Sequence, residues 1–191
     1  MIAGHFGFAA GAKATEPAAP LWSLMLATMW LDVVFTPLYL AGVESIATPP
    51  GGGYGTSVIH ADYTHSLVGA LVLSALFALL FGWRRGRRVA LVLGVVAFSH
   101  WVLDLLVHRA DLAILPGNLG ALPLLGFGLW RVPAASILLE ALLLLGGVFL
   151  YWRTAQRHAA VGPGRKVTPT TVSLTLLGSG LLVLLLDALA L

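Results

Sequence analysis

Five runs of about 20 apolar residues constrain this 191-residue chain more than any other feature. A helix needs about that length to cross the hydrocarbon core of a bilayer, where no water satisfies exposed backbone polar groups. Only 10% of the residues are charged, too few to cover the surface of a soluble domain. We therefore predict an all-α integral membrane protein that forms a single transmembrane domain. Its five expected spans are residues 21–43, 63–83, 89–108, 132–152 and 170–191.

The segments outside these runs are also unusual for aqueous loops. Residues 2–12 are apolar but too short to span, which predicts a short N-terminal half-helix or a re-entrant piece. A signal peptide is disfavoured because no positive charge precedes the apolar residues. Residues 44–59 and 111–130 are poor in charge and rich in Gly and Pro. The second of these segments is apolar enough that we expect it to fold back against the helix ends.

The positively charged residues predict the orientation. With five spans, nine of the eleven Lys and Arg side chains fall on one side, at Lys13 and within residues 84–88 and 153–166. Arg109 and Arg131 fall on the other side. The side with more Lys and Arg is normally cytoplasmic. An alternative interpretation of the arginine run is a binding site for anionic lipids.

Ionisable residues inside apolar runs are costly in lipid and therefore indicate function. His100, Asp104 and His108 are spaced i, i+4 and i+8, so a helix would place them on one face. Imidazole and carboxylate groups on one face are typical ligands of Zn²⁺ or a similar divalent ion. The alternative is that they join helices by hydrogen bonds and bind no metal.

A second polar cluster, HADYTHS, stands at residues 60–66, where the second run begins. His60 and His65 would diverge on a regular helix, and they can converge only if His60 precedes it. Thr64 and Ser66 are better explained as helix caps than as nucleophiles. The rise per residue also places His5, Asp32 and Glu140 between the membrane centre and the outer interface. We therefore expect one shared polar cavity that opens to the non-cytoplasmic side.

Four segments resemble elements of the bacterial membrane-bound metal-dependent hydrolases, also described as LexA-binding inner-membrane hydrolases. They are residues 4–7 (GHFG), 31–34 (LDVV), 60–66 (HADYTHS) and 99–104 (SHWVLD). The family typically has an N-terminal histidine followed by the elements Leu-Pro-Asp-x-Asp-His, His-Arg-Gly-x-Thr-His-Ser and Ser-His-x-x-x-Asp. The resemblance covers roughly residues 1–108 and implies a bacterial inner membrane protein with phospholipase-like chemistry.

The departures from this pattern affect the expected metal site. In the Asp-x-Asp-His element, Val34 and Phe35 replace the second carboxylate and the histidine. In the His-Arg-Gly-x-Thr-His-Ser element, Ala61 replaces the arginine and Asp62 replaces the glycine. The loss of two expected ligands favours one metal ion over two, or a site that no longer catalyses. The candidate metal ligands are His5, Asp32, His60, His65, His100 and Asp104.

We therefore predict a hydrolase of a lipid or lipid-linked ester or phosphoester, with a divalent metal, expected to be zinc, that activates water. Asp62 or Glu140 would act as the general base, and Arg109 would bind an anionic headgroup. Nothing in the sequence indicates nucleic acid as a partner. The alternatives are an ion- or proton-conducting transport protein, a structural protein with a degenerate site, and a ceramidase-like zinc hydrolase.

Overall fold

A computed structural model describes residues 1–50, 52, 54–159 and 168–189. The fold is all-α, as predicted, with one short antiparallel hairpin on the chain between the third and fourth helices. The helices are α1 (Ile2–Thr15), α2 (Leu21–Thr28), α3 (Trp30–Leu40), α4 (Leu67–Phe77), α5 (Arg87–Val107), α6 (Pro133–Ala159) and α7 (Pro169–Leu189). The hairpin strands are β1 (Ser45–Ala47) and β2 (Val58–His60).

Within the described residues, four helical segments are long and apolar enough to cross a membrane, namely Leu67–Arg85, Arg87–Val107, Pro133–His158 and Pro169–Leu189. The pair α2 and α3 makes a fifth span if its 49° bend is counted within one crossing. The chain is thus a multi-pass membrane protein, with four to five spans in the part that the structure describes. Residues 190–191 of the last expected span, and Arg165 and Lys166 of the positive set, lie outside the described residues.

The bend between α2 and α3 lies beside contacts with two other helices. It lies at Met29, whose φ of −107° and ψ of 6° are not helical. Beside it, the Thr28 hydroxyl donates to the carbonyl of His5, and the Thr28 carbonyl accepts from His100 Nδ1 at 2.7 Å. The break therefore ties this span to α1 and α5.

Helix α1 is the predicted N-terminal half-helix, and it ends three residues later than residue 12. Its 14 residues rise about 21 Å, too short for the roughly 30 Å hydrocarbon core. It packs most closely on α6, where a Cβ built on Gly147 would lie 1.8 Å from the Gly7 carbonyl oxygen. Two glycines thus allow backbone contact between these helices, as is common in membrane proteins.

Both long connections lie at the end of the bundle where α4 begins and α5 ends. Helix α4 begins at Leu67, later than expected, because the Ser66 hydroxyl caps it by accepting from Gly69 N at 3.0 Å. The loop after α5 folds back as predicted, since the carbonyls of Ala113 and Ile114 accept from Leu67 N and Val68 N. These bonds satisfy two backbone donors at the start of α4 that the helix itself leaves free.

The predicted orientation can be tested by cysteine labelling, because the chain has no native cysteine. Arg85 and Ala41 are exposed at opposite ends of the bundle. In intact cells, an impermeant maleimide should label Ala41→Cys, and it should label Arg85→Cys only after the membrane is permeabilised. Labelling of Arg85→Cys in intact cells would show that the orientation is the opposite of the predicted one.

Candidate metal centre

Five of the predicted metal ligands meet at one place in the bundle. His5 comes from the first turns of α1, Asp32 from the start of α3, His65 from the turn before α4, and His100 and Asp104 from successive turns of α5. Four of them are buried, and the Asp32 side chain is 40% exposed. The centre thus depends on four separate segments of the chain, and Asp32 lies at its accessible edge.

Three ligand atoms form a nearly equilateral triangle. His65 Nε2 lies 3.2 Å from His100 Nε2, and Asp32 Oδ1 lies 3.5 and 3.6 Å from these two nitrogens. The ligand atoms of a tetrahedral ion bound at about 2.1 Å are about 3.4 Å apart. These three groups could therefore hold one metal ion.

Asp104 extends this triangle with both of its carboxylate oxygens. Its Oδ2 lies 3.0 Å from His100 Nε2 and 3.8 Å from His65 Nε2. Its Oδ1 lies 3.2 Å from Nε2 of His5, whose ring stacks on that of His100 at 4.0 Å. His5, His100 and Asp104 form a second group that could hold a metal ion.

The hydrogen bonds around His100 determine which ring nitrogen faces the centre as an acceptor. A carbonyl oxygen accepts and cannot donate, so the 2.7 Å contact with the Thr28 carbonyl assigns the hydrogen to His100 Nδ1. In the neutral ring, Nε2 then presents its lone pair to the centre. This is the orientation that metal-binding histidines usually have.

Thr64 and Glu44 orient His65 in the same way, although the sequence alone does not indicate that either residue belongs to the site. The Thr64 hydroxyl donates to the buried Glu44 carboxylate, so it accepts from His65 Nδ1 at 2.9 Å. Glu44 also accepts from the backbone N–H groups of Tyr63 and Thr64, each at 2.9 Å. Glu44 lies in a polar connection 21 positions before His65, and no spacing rule in the sequence relates the two.

Between the triangle and Asp104 Oδ2, acceptors consequently face one another without a donor. Two imidazole lone pairs and two carboxylates face one another within 3.0–3.8 Å across five measured separations. Such an arrangement is unfavourable unless a proton or a metal cation lies among the acceptors. The charge and the geometry both suit a divalent ion.

A cavity of about 140 Å³ adjoins these ligands. His108 also contacts it, and the remaining wall is mostly apolar. The wall residues outside the ligand group and His108 are Met1, Phe35, Ile46, Ile59 and Trp130. Ile46 and Ile59 are paired in the hairpin, so the hairpin covers one side of the cavity.

Two residues predicted to act beside His65 lie elsewhere. His60 is exposed on β2, where side chains alternate between faces and the preceding Ile59 faces the cavity. Asp62 is half-buried in the turn that follows and does not contact the cavity. The structure therefore does not bring His60 or Asp62 to the ligand group, and their roles as ligand and base stay predictions. A short strand that the sequence does not indicate turns the His60 side chain away.

Glu140, the other predicted base, lies away from the ligand group and makes other contacts. It is fully buried and accepts from the Tyr54 hydroxyl at 2.6 Å and from Gly4 N at 3.3 Å. Burial and this acceptor raise the pKa of Tyr54. Glu140 is not one of the described residues that line the cavity. Its bond to Gly4, one position before His5, instead anchors the start of α1.

Arg109, predicted to bind an anionic headgroup, does not contact the cavity either. Its Nη2 donates to the carbonyl of Gly55 at 3.2 Å. It follows the end of α5 at Val107, where the chain leaves the helix direction. The extended backbone of His108 directs Arg109 towards the loop that carries Gly55.

Comparison of the chain with protein-family models, with curated proteins and with solved structures found no match. The assignment of the centre therefore depends on its geometry and chemistry.

Proposed function

We propose that the centre binds one divalent metal ion, Zn²⁺, and that the protein hydrolyses a lipid or lipid-linked ester or phosphoester. The triangle of His65 Nε2, His100 Nε2 and Asp32 Oδ1 is the main support, because its sides of 3.2–3.6 Å suit a tetrahedral shell. Three protein ligands leave the fourth position of that shell open for water, as in catalytic zinc sites. Asp104 Oδ2 lies 3.0 Å from His100 Nε2. His5 holds Asp104 through its other oxygen.

The donor set favours zinc over magnesium or calcium. Magnesium and calcium prefer oxygen ligands, whereas two imidazoles and carboxylates are typical of zinc enzymes. The carbonyl of Thr28 and the pair of Thr64 and Glu44 hold the two imidazoles, as outer-shell partners do in such sites.

A bound divalent ion supplies a Lewis acid and lowers the pKa of water, which is the chemistry that hydrolysis needs. In that reaction, the OH of water joins the acyl or phosphoryl group, the ester bond breaks, and the other proton of water leaves with the alcohol. Asp32, the most accessible ligand, indicates the side from which substrate enters.

The surroundings of the centre support a lipid substrate. Four of its residues lie on or beside segments that could span a bilayer, so a substrate dissolved in the membrane reaches it readily. The resemblance to bacterial membrane-bound metal-dependent hydrolases supports this choice and a location in a bacterial inner membrane. The orientation predicted from the positive charges opens the cavity to the non-cytoplasmic side.

The test combines metal analysis with an activity assay on the purified full-length protein in detergent. We expect about one zinc per chain, loss of the metal on treatment with 1,10-phenanthroline, and recovery with added Zn²⁺. Hydrolysis of a panel of phospholipids, ceramides and lipid phosphates should disappear and return with the metal. A chain that binds no divalent ion would refute the metal centre. A stoichiometric metal without hydrolysis across the panel would refute the hydrolase.

A further inference from the structure

His108 faces the cavity from a position outside the ligand triangle. Helix α5 ends at Val107, and His108 has an extended backbone with φ of −58° and ψ of 147°. Its side chain is buried, and its Nε2 lies 3.9 Å from Asp104 Oδ2, beyond hydrogen-bond distance. It belongs to neither group of candidate metal ligands. A buried ring nitrogen thus lies beside the centre without completing it.

Asp111 determines which atom His108 presents. Asp111 Oδ1 lies 2.9 Å from His108 Nδ1, and both side chains are buried. An ionised carboxylate only accepts, so the hydrogen is on Nδ1 and Nε2 is an acceptor in the neutral ring. Trp130 packs against the imidazole with ring centroids 4.3 Å apart, which restricts its rotation. The Nε2 lone pair is therefore held in a fixed direction.

The other wall residues make this nitrogen distinctive. Apart from the candidate ligands, the cavity contacts Met1, Phe35, Ile46, Ile59 and Trp130. Among the described residues of this wall, only His108 has a strong side-chain acceptor. A small molecule that binds at the centre and carries a further O–H or N–H donor can therefore donate to His108 Nε2, the one strong acceptor in the described part of this wall that is not a candidate metal ligand.

We infer that His108, held by Asp111, accepts a hydrogen bond from the group bound in the cavity and so orients it. This inference rests on the proposed metal centre and deepens it. During hydrolysis, the group that His108 orients is the attacking water. A small molecule with an O–H or N–H donor, such as a hydroxamic acid, would be oriented in the same way when it binds in the cavity. His108 is thus a positioning residue that is distinct from the metal ligands.

The test uses Co²⁺ in the full-length protein and acetohydroxamic acid as the probe. The visible absorption of Co²⁺ reports its ligands, and its change on titration gives the affinity for the probe. His108→Phe keeps an aromatic ring against Trp130 but removes Nε2, and His108→Asn keeps a donor for Asp111 but does not reach as far. Both should bind the probe about tenfold more weakly, as expected for one lost hydrogen bond. His108→Gln, which restores an acceptor near Nε2, should bind within about threefold of the native protein.

The control variant is Val102→Ala, which shortens an exposed side chain on α5 outside the cavity and should leave the affinity unchanged. The Co²⁺ spectrum without probe should be the same in all variants. A native protein without bound Co²⁺ would refute the proposed metal centre itself. Native affinity for the probe in His108→Phe and His108→Asn would refute only the role of His108. A changed spectrum before the probe is added would make His108 a ligand and also overturn the inference.

Discussion

His100→Ala is expected to reduce bound metal from about one ion per chain to less than a tenth of that. His100 Nε2 lies within 3.6 Å of three other candidate ligand atoms, so its removal takes away the member that both metal-binding groups share. A shell that loses a ligand must recruit water, which binds far more weakly than an oriented imidazole. Metal content is measured on monodisperse protein by elemental analysis.

Ser99→Ala is the matched control for this variant. Ser99 is the neighbour of His100 on α5, and its hydroxyl donates only within the helix, to the Val96 carbonyl at 2.7 Å. Its metal content should equal that of the native protein. Because His100 also holds Thr28 and stacks on His5, the variant could lose metal by unfolding. His65→Ala, which spares those two contacts, should also lose most of the metal. Stoichiometric metal in both histidine variants would show that these side chains only join helices.

The second large effect is expected at the crossing of α1 and α6. In Gly147→Ala, the new Cβ would lie 1.8 Å from the oxygen and 2.5 Å from the carbon of the Gly7 carbonyl. Both are backbone atoms, so the helices must separate. Overpacking in protein cores costs about 1–3 kcal/mol, and we expect at least that loss here because neither helix has a flexible side chain at the contact.

Gly146→Ala provides the control, because a Cβ there would have no neighbour within 4 Å. It should retain the native melting temperature in detergent, whereas Gly147→Ala should melt at a clearly lower temperature. Since α1 carries His5 and is anchored by Glu140, Gly147→Ala should also weaken metal binding. Equal melting temperatures in the two variants would mean that α1 does not pack on α6 in this way.

The sequence predicts correctly those properties of the protein that depend on residues close together in the chain. Apolar runs of about 20 residues predict spanning helices, because the bilayer sets their length. The spacing of His100 and Asp104 places both on one face of α5, because helix geometry is local. The break at Met29 was not predicted, because no proline or glycine occurs there and the contacts of Thr28 with His5 and His100 come from distant segments.

The tertiary structure alone decided which polar residues belong to the centre. By sequence, His60 and Glu140 were as suitable for the centre as His65 and Asp32. In the structure, however, β2 turns His60 outwards. The packing of α6 places Glu140 where it accepts hydrogen bonds from Tyr54 and from the start of α1. Glu44 was missed because its link to His65 passes through the folded connection between α3 and α4. The sequence by itself therefore determined the membrane-spanning helices and one face of α5, since hydrophobic length and helical period act over a few turns. The composition of the centre depended on contacts between residues up to 99 positions apart, as for His5 and Asp104, and only the packed helices bring such residues together.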